Sequence, residues 1–142
     1  MITANYLITH IRDYNILFQE LDIDINTRTI ILLKGELGVG KTTFIKQFLI
    51  TQFDYHEATS PTFGIINTYN VDNINFYHYD LYRINNATEL DEIGLYNNLD
   101  LDGVHFIEWP EIIPEKLIKP NIVISFQVVD QQRLISIIFN NE

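Results

Sequence analysis

Thr29-Ile30-Ile31-Leu32-Leu33-Lys34-Gly35-Glu36-Leu37-Gly38-Val39-Gly40-Lys41-Thr42-Thr43 decides the fold. Thr29 to Leu33 is an apolar run with no polar alternation. Such runs suit a strand buried on both faces, as in a parallel sheet covered by helices. Gly35 to Thr42 then matches G-x-x-x-x-G-K-[ST]. Glycines in that spacing let consecutive N–H groups turn inward toward phosphates. A helix opening near Lys41 adds its positive end. Lys41 supplies a mobile cation for β- and γ-phosphates, and Thr42 offers a hydroxyl to Mg²⁺. From Lys41 to about Gln52, Phe44, Ile45, Phe48 and Leu49 recur at helical spacing. Strand, glycine loop and amphipathic helix in succession point to a nucleoside triphosphate site. Leu37, Gly38, Val39, Gly40, Lys41, Thr42 and Thr43 are its candidate nucleotide-binding residues.

On the N-terminal side, Thr9 is expected to cap a helix whose buried face holds Ile11, Tyr14, Leu17, Phe18 and Leu21. On the C-terminal side the chain becomes strand-rich. Phe63 to Asn70 and Ile74 to Asp80 alternate, with a polar turn at Asn70–Asn73 between them. Thr88, with Asp91 three residues on, reads as a capped helix start that Gly94 ends. Val104 to Ile107 is another apolar run, and Pro110 and Pro114 bracket an irregular stretch. Ile122–Val129 and Leu134–Phe139 read as an antiparallel pair. The fold class is α/β: a single P-loop NTPase domain over residues 1–142, with a mixed, mostly parallel sheet flanked by helices and antiparallel C-terminal strands.

Composition narrows the function. A chain of 142 residues suits one domain. There is no cysteine, so no thiolate metal site and no cysteine nucleophile. No stretch reaches the length of a membrane span, and the N-terminus lacks a basic leader with an apolar run, so a cytoplasmic protein is expected. Nine Lys and Arg face nineteen Asp and Glu, for a net charge of −10. That balance argues against direct DNA or RNA binding, which rests on cation–phosphate contacts. Between Arg83 and Lys116 stand eight acids and no base. This stretch is either a solvated face or a docking surface for a basic partner.

A magnesium ligand is expected at the end of a strand beside the phosphate loop. Asp80 closes Phe76-Tyr77-His78-Tyr79-Asp80, and Glu108 closes Val104-His105-Phe106-Ile107-Glu108. Both are hard oxygen donors after apolar or aromatic runs, although an acid at a strand end also serves as a helix cap or solvates a loop. Ser60-Pro61-Thr62-Phe63 lies between the phosphate-loop helix and the next strand; from the residues alone it reads as a turn, and its hydroxyls also stand where switch segments sense a γ-phosphate. His10, His56, His78 and His105 show no metal-ligand spacing and read as structural.

Four blocks in order carry a resemblance: Gly35 to Thr43, Ser60 to Phe63, His78-Tyr79-Asp80-Leu81-Tyr82-Arg83, and Ile107-Glu108-Trp109-Pro110. Glu89-Leu90, followed by Ile93-Gly94, adds a fifth. The chain resembles the TsaE (YjeE) family of small bacterial P-loop ATPases. The resemblance implies a part in forming N6-threonylcarbamoyladenosine at adenosine 37 of tRNAs that read codons beginning with A. It implies action with a TsaD/TsaB-type complex, sustaining turnover, with tRNA met only through those partners. ATP and Mg²⁺ are the implied ligands. Thr42 and Glu108 would hold the metal, and Asp80 would be the water-positioning or switch carboxylate; read as a mechanism, Asp80 or Glu108 orients the attacking water. Ser60, Pro61, Thr62 and Phe63 would form the switch, Trp109 would pack beside the nucleotide, and Arg133 would reach its base or ribose.

Three rivals can be weighed. A small-molecule or nucleotide kinase needs a lid supplying several Arg, and this chain has only Arg12, Arg28, Arg83 and Arg133. A nucleotide-dependent binding module would use the same loop with incidental hydrolysis. A GTPase is disfavoured: Asp91–Gly94 fits D-x-x-G inside a helix, and Asn97–Asp100 lacks the guanine-reading Lys.

Overall fold

The computed structural model describes residues 2–21, 23, 25–61 and 65–140. Their order is β1 (Ile2–Ile8), α1 (Tyr14–Glu20), β2 (Arg28–Lys34), α2 (Lys41–Phe53), β3 (Ile66–Val71), β4 (Ile74–Asp80), α3 (Glu89–Glu92), α4 (Leu95–Leu99), β5 (Gly103–Glu108), β6 (Ile122–Val129) and β7 (Gln132–Phe139). The strands form one mixed sheet in the order β1-β7-β6-β2-β5-β4-β3. Its centre is parallel: β6 with β2, β2 with β5, and β5 with β4. Its margins are antiparallel.

Strand parity divides the core in two. Ile31 and Leu33 of β2 pack with α1 and α2, and Ile30 and Leu32 pack on the opposite face with Leu90, Leu95 and Leu99 of the short helices. An uninterrupted apolar run is what a strand covered on both sides needs. The α2 face is dense in aromatics. Phe44 lies edge-on to Tyr14, Phe18 and Phe126, with centroids 5.9, 5.2 and 5.6 Å away. The expected inward residues of α2 are all buried.

The N-terminus departs from the expectation. Residues 2–8 form a strand, and the helix begins at Tyr14 rather than after Thr9. The Asp13 carboxylate accepts the amide protons of Thr9 and His10, closing a 3-10 turn at Ile11–Asp13. Ile11 is 60% exposed, while Tyr14, Leu17, Phe18 and Leu21 are buried as expected. Strand β1 is an edge whose partner, β7, lies at the other end of the chain. Its short alternating pattern is weak without that pairing.

Both hairpin turns are tighter than expected, with Asn70 and Val71 in β3 and Gln132 and Arg133 in β7. Asp72 and Asn73 join β3 to β4 with φ of 52° and 65°, and Asp130 and Gln131 join β6 to β7 with φ of 49° and 67°. Two successive residues at positive φ match the twist of hairpin strands. The expected strand start at Phe63 lies outside the described residues, and β3 begins at Ile66. Thr88 is not a cap. Its backbone is already helical, and the Asn86 side-chain oxygen accepts from both its N–H and its hydroxyl. Gly94 ends α3 in the left-handed region, and a further helix, α4, follows it.

Candidate active site

The site sits at the carboxyl ends of the central parallel strands, where open α/β sheets place their ligands. Leu33 of β2 is in register with Glu108 of β5, and Glu108 with Asp80 of β4. Parity aims the side chains. Phe76 on β4, and Val104 and Phe106 on β5, pack toward α2. Two-residue alternation therefore puts His78, Asp80 and Glu108 on that same face, rising toward the start of α2.

The loop from Gly35 to Gly40 bridges β2 and α2. At Gly35 a Cβ would meet Val39 Cγ1 at 2.8 Å and the Phe126 carbonyl at 3.0 Å. Gly40, at φ 110°, precedes the first residue of α2 in a conformation that side chains resist. Arg133 on β7 fixes the loop from outside, its Nε donating to the Val39 carbonyl at 2.9 Å. Val39 itself is buried.

Lys41 is folded back on its own loop and is only 4% exposed. Its ammonium donates to the Gly35 carbonyl at 2.6 Å and lies 3.6 Å from the Trp109 ring centroid. Burial lowers its pKa below the ordinary lysine value, and the nearby carboxylates of Glu108, Glu111, Asp80 and Glu36 oppose that shift. Trp109 reaches this place through a left-handed backbone, φ 59° and ψ 51°, just before Pro110. Such strain in a bulky residue persists where the surroundings over-determine it. Tyr82 also packs against the indole, its ring tilted by 45° and its centroid 4.9 Å away.

Glu108 is 4% exposed and His78 2%. One oxygen of Glu108, Oε2, accepts from the Thr42 hydroxyl at 2.9 Å and from His78 Nε2. Asp80 is half-buried. Its Oδ1 accepts the Tyr82 amide proton at 3.2 Å. Leu37, Gly38, Gly40, Lys41, Thr42, Thr43, Asp80, Tyr82, Glu108 and Trp109 line one cleft of about 220 Å³. A larger groove of about 800 Å³ beside Leu32, Lys116 and Val123 contains none of the expected site residues.

The structure thus brings the loop, Asp80, Glu108 and Trp109 together. Arg133 lies against the loop backbone. Ser60 and Pro61 are outside the cleft lining, and Thr62 and Phe63 lie outside the described residues. Pro61 is held at its carbonyl by Arg83 Nη2, 2.8 Å away. Thr59 is held next to it: the Tyr69 hydroxyl accepts its N–H and donates to its carbonyl. Sequence spacing does not mark His78, which bonds Glu108, or Tyr82, which lines the cleft.

The donor set can be tested against a magnesium ion. Among the described residues, no group of three or more His, Asp or Glu could cage a metal. Thr42 and Glu108 offer hard oxygens at the loop, fitting an ion that brings its own waters and phosphate ligands. They do not fit a metal bound by protein alone.

This geometry is that of a P-loop NTPase-like domain. A family model, Threonylcarbamoyl adenosine biosynthesis protein TsaE, matches residues 9–135. The chain belongs to the TsaE family. It is 41% identical over 115 residues to the tRNA threonylcarbamoyladenosine biosynthesis protein TsaE of Rickettsia felis, covering 79% of this chain and 66% of that protein. It therefore spans just under two thirds of that relative's length. The Borreliella burgdorferi protein of the same name is 36% identical over 110 residues, covering 76% of this chain and 80% of its own. The crystal structure of YdiB from Bacillus subtilis superposes with a TM-score of 0.69 at 25% identity, over 99% of this chain and 88% of that one. The family is one of tRNA threonylcarbamoyladenosine biosynthesis. No helix among the described residues is long and apolar enough to cross a membrane.

Proposed function

We propose that this protein binds and hydrolyses ATP with Mg²⁺ in the cytoplasm. Hydrolysis would sustain turnover of a TsaD/TsaB-type complex that places the threonylcarbamoyl group on adenosine 37 of tRNA. The observation that carries the reading is the cleft itself. Leu37, Gly38, Gly40 and Lys41 of the phosphate loop, the Thr42 hydroxyl and two strand-end carboxylates line one cavity.

The residues divide the work by their surroundings. The loop amides from Leu37 to Thr43 take the phosphates. Lys41 leaves the Gly35 carbonyl and the Trp109 ring to meet the β- and γ-oxygens, exchanging a partial charge for a full one. Thr42 and Glu108 would hold the metal, which when bound neutralises charge on the phosphate oxygens. Glu108 already carries two donors, whereas Asp80 faces the cleft with a single backbone donor. Asp80 is therefore assigned to orient the attacking water. Trp109 walls the nucleotide pocket, and Ser60 to Phe63 is the switch.

Lys41 is the only cation among the described residues lining the cleft. Arg133 is engaged by Val39 and Arg83 by Pro61. With no arginine aimed at the transferring phosphoryl group, hydrolysis by the lone protein is slow. The partner complex completes the site or orders the switch. The absence of an arginine lid also weighs against a kinase. With a net charge of −10, contact with tRNA falls to the partners. Among the eight acids between Arg83 and Lys116, all but Glu89 and Glu108 are exposed, which suits docking to a basic surface.

The test compares steady-state ATPase of the lone protein with that of the reconstituted complex. Equal rates sink partner activation. Lys41→Ala abolishes tRNA modification in a complemented strain, and retained modification contradicts its role. Glu108→Ala weakens Mg²⁺-dependent nucleotide binding, and an unchanged Mg²⁺ titration moves the metal role to Asp80.

A further inference from the structure

Glu108 ends β5 buried, yet its carboxylate is not left to choose its own rotamer. Two donors from different elements converge on one oxygen: Thr42 Oγ1 from α2, and His78 Nε2 from β4. A carboxylate oxygen only accepts, so His78 carries its proton on Nε2. Neither bond uses Oε1. A glutamate has several soft torsions, and fixing one oxygen leaves the other in one place. Thr42 is itself a proposed metal ligand, so its hydroxyl would be shared between Glu108 and the ion. His78 is packed in the sheet at 2% exposure and does not line the cleft.

We propose that His78 is a positioning residue for the divalent cation that enters with the nucleotide. It holds the Glu108 carboxylate with Oε1 presented to that cation, and it touches neither metal nor nucleotide. Second-shell donors of this kind set metal affinity through ligand orientation. The inference rests on the nucleotide–metal reading above and extends it to a residue outside the cleft.

The experiment measures ATP binding to the full chain by calorimetry, once in EDTA and then across a Mg²⁺ titration. His78→Gln keeps an amide N–H at the reach of Nε2, and His78→Asn stops one bond short. For His78→Asn the Mg²⁺ midpoint rises by about 10- to 100-fold, with ATP affinity in EDTA unchanged. His78→Gln returns the midpoint close to that of the native protein. A native midpoint for His78→Asn overturns the proposal. So does a parallel loss of affinity in EDTA, or a Gln variant as defective as the Asn variant. If neither variant folds, long-range ¹H–¹⁵N spectra of the native imidazoles decide. A His78 signal, protonated at Nε2, that moves when Mg²⁺ joins the ATP complex supports the proposal, and an unmoved signal overturns it. Native protein whose ATP binding ignores Mg²⁺ sinks the nucleotide–metal reading as well, which separates the two failures.

Discussion

Lys41→Met should act on the free protein and on the ligand complex in opposite senses. In the free protein the ammonium has a short bond to the Gly35 carbonyl and an aromatic face at 3.6 Å. A hydrogen bond from a charged donor contributes about 1.5–3 kcal/mol, and a desolvated cation–π contact about 2 kcal/mol. Burying the charge costs several kcal/mol, so the balance is close to zero. Its sign follows from linkage. Burial lowers the Lys41 pKa from its ordinary 10.5, so between the folded value and 10.5 the unfolded chain binds more protons. Stability then rises with pH through that window, and at neutral pH the folded state carries the full penalty of the charge. A methionine of similar length removes that penalty, keeps the packing and leaves free-protein stability within about 1.5 kcal/mol of native or above it.

With ATP the outcome reverses. Removing one member of a desolvated charge pair costs about 3–5 kcal/mol, so affinity falls by about a hundred- to several-thousand-fold. Thermal denaturation with and without Mg²⁺-ATP reads both effects. At about 100 times its Kd, ATP stabilises the native protein by about 2.7 kcal/mol. That is a Tm rise of roughly 5–11 °C for a domain of this size, and it vanishes in the variant. A free variant destabilised by more than about 3 kcal/mol would make Lys41 a structural strut. An undiminished ATP shift would refute its phosphate role.

Phe44→Ala, at the centre of the edge-on aromatic cluster, should lose about 3–5 kcal/mol in urea denaturation; a loss under 1 kcal/mol would mean the cluster is loosely packed. His105 is buried, accepts the Tyr79 hydroxyl at Nδ1 and donates from Nε2 to the Leu101 carbonyl. Burial, chiefly, lowers its pKa from 6.5. Its contribution is present above pH 6.5 and is lost as pH falls through the folded pKa. Stability measured from pH 8 to 5 should therefore drop, and His105→Gln should flatten that slope; an equal slope would assign the acid sensitivity elsewhere. Arg133→Met frees the Val39 carbonyl and should weaken ATP and pyrophosphate alike by several-fold, about 1 kcal/mol for a half-exposed donor. Unchanged pyrophosphate affinity with weakened ATP would place Arg133 at the base or ribose instead.

The sequence by itself determined whatever depends on neighbours along the chain. The apolar run of β2, the glycine spacing, the period of α2 and the two hairpin turns are local patterns, and the structure reproduces each. Asp80 and Glu108 were legible as acids closing apolar runs. His78 reads from the sequence only as a structural histidine, because its reach to Glu108 needs β4 and β5 paired. Tertiary structure decided the rest. Strand β5 inserts between β2 and β4, although both precede it in the chain. Only that crossover sets Glu108 level with Asp80 and within reach of Thr42 and His78. Strand β1 exists because β7, from the far end of the chain, offers it a free edge, and Arg133 meets the phosphate loop by the same closure. Lys41 folds onto Trp109 because a left-handed turn before Pro110 aims the indole there. Local patterns follow from backbone period and turn stereochemistry, but strand order and side-chain convergence come from the one arrangement that buries both faces of the sheet.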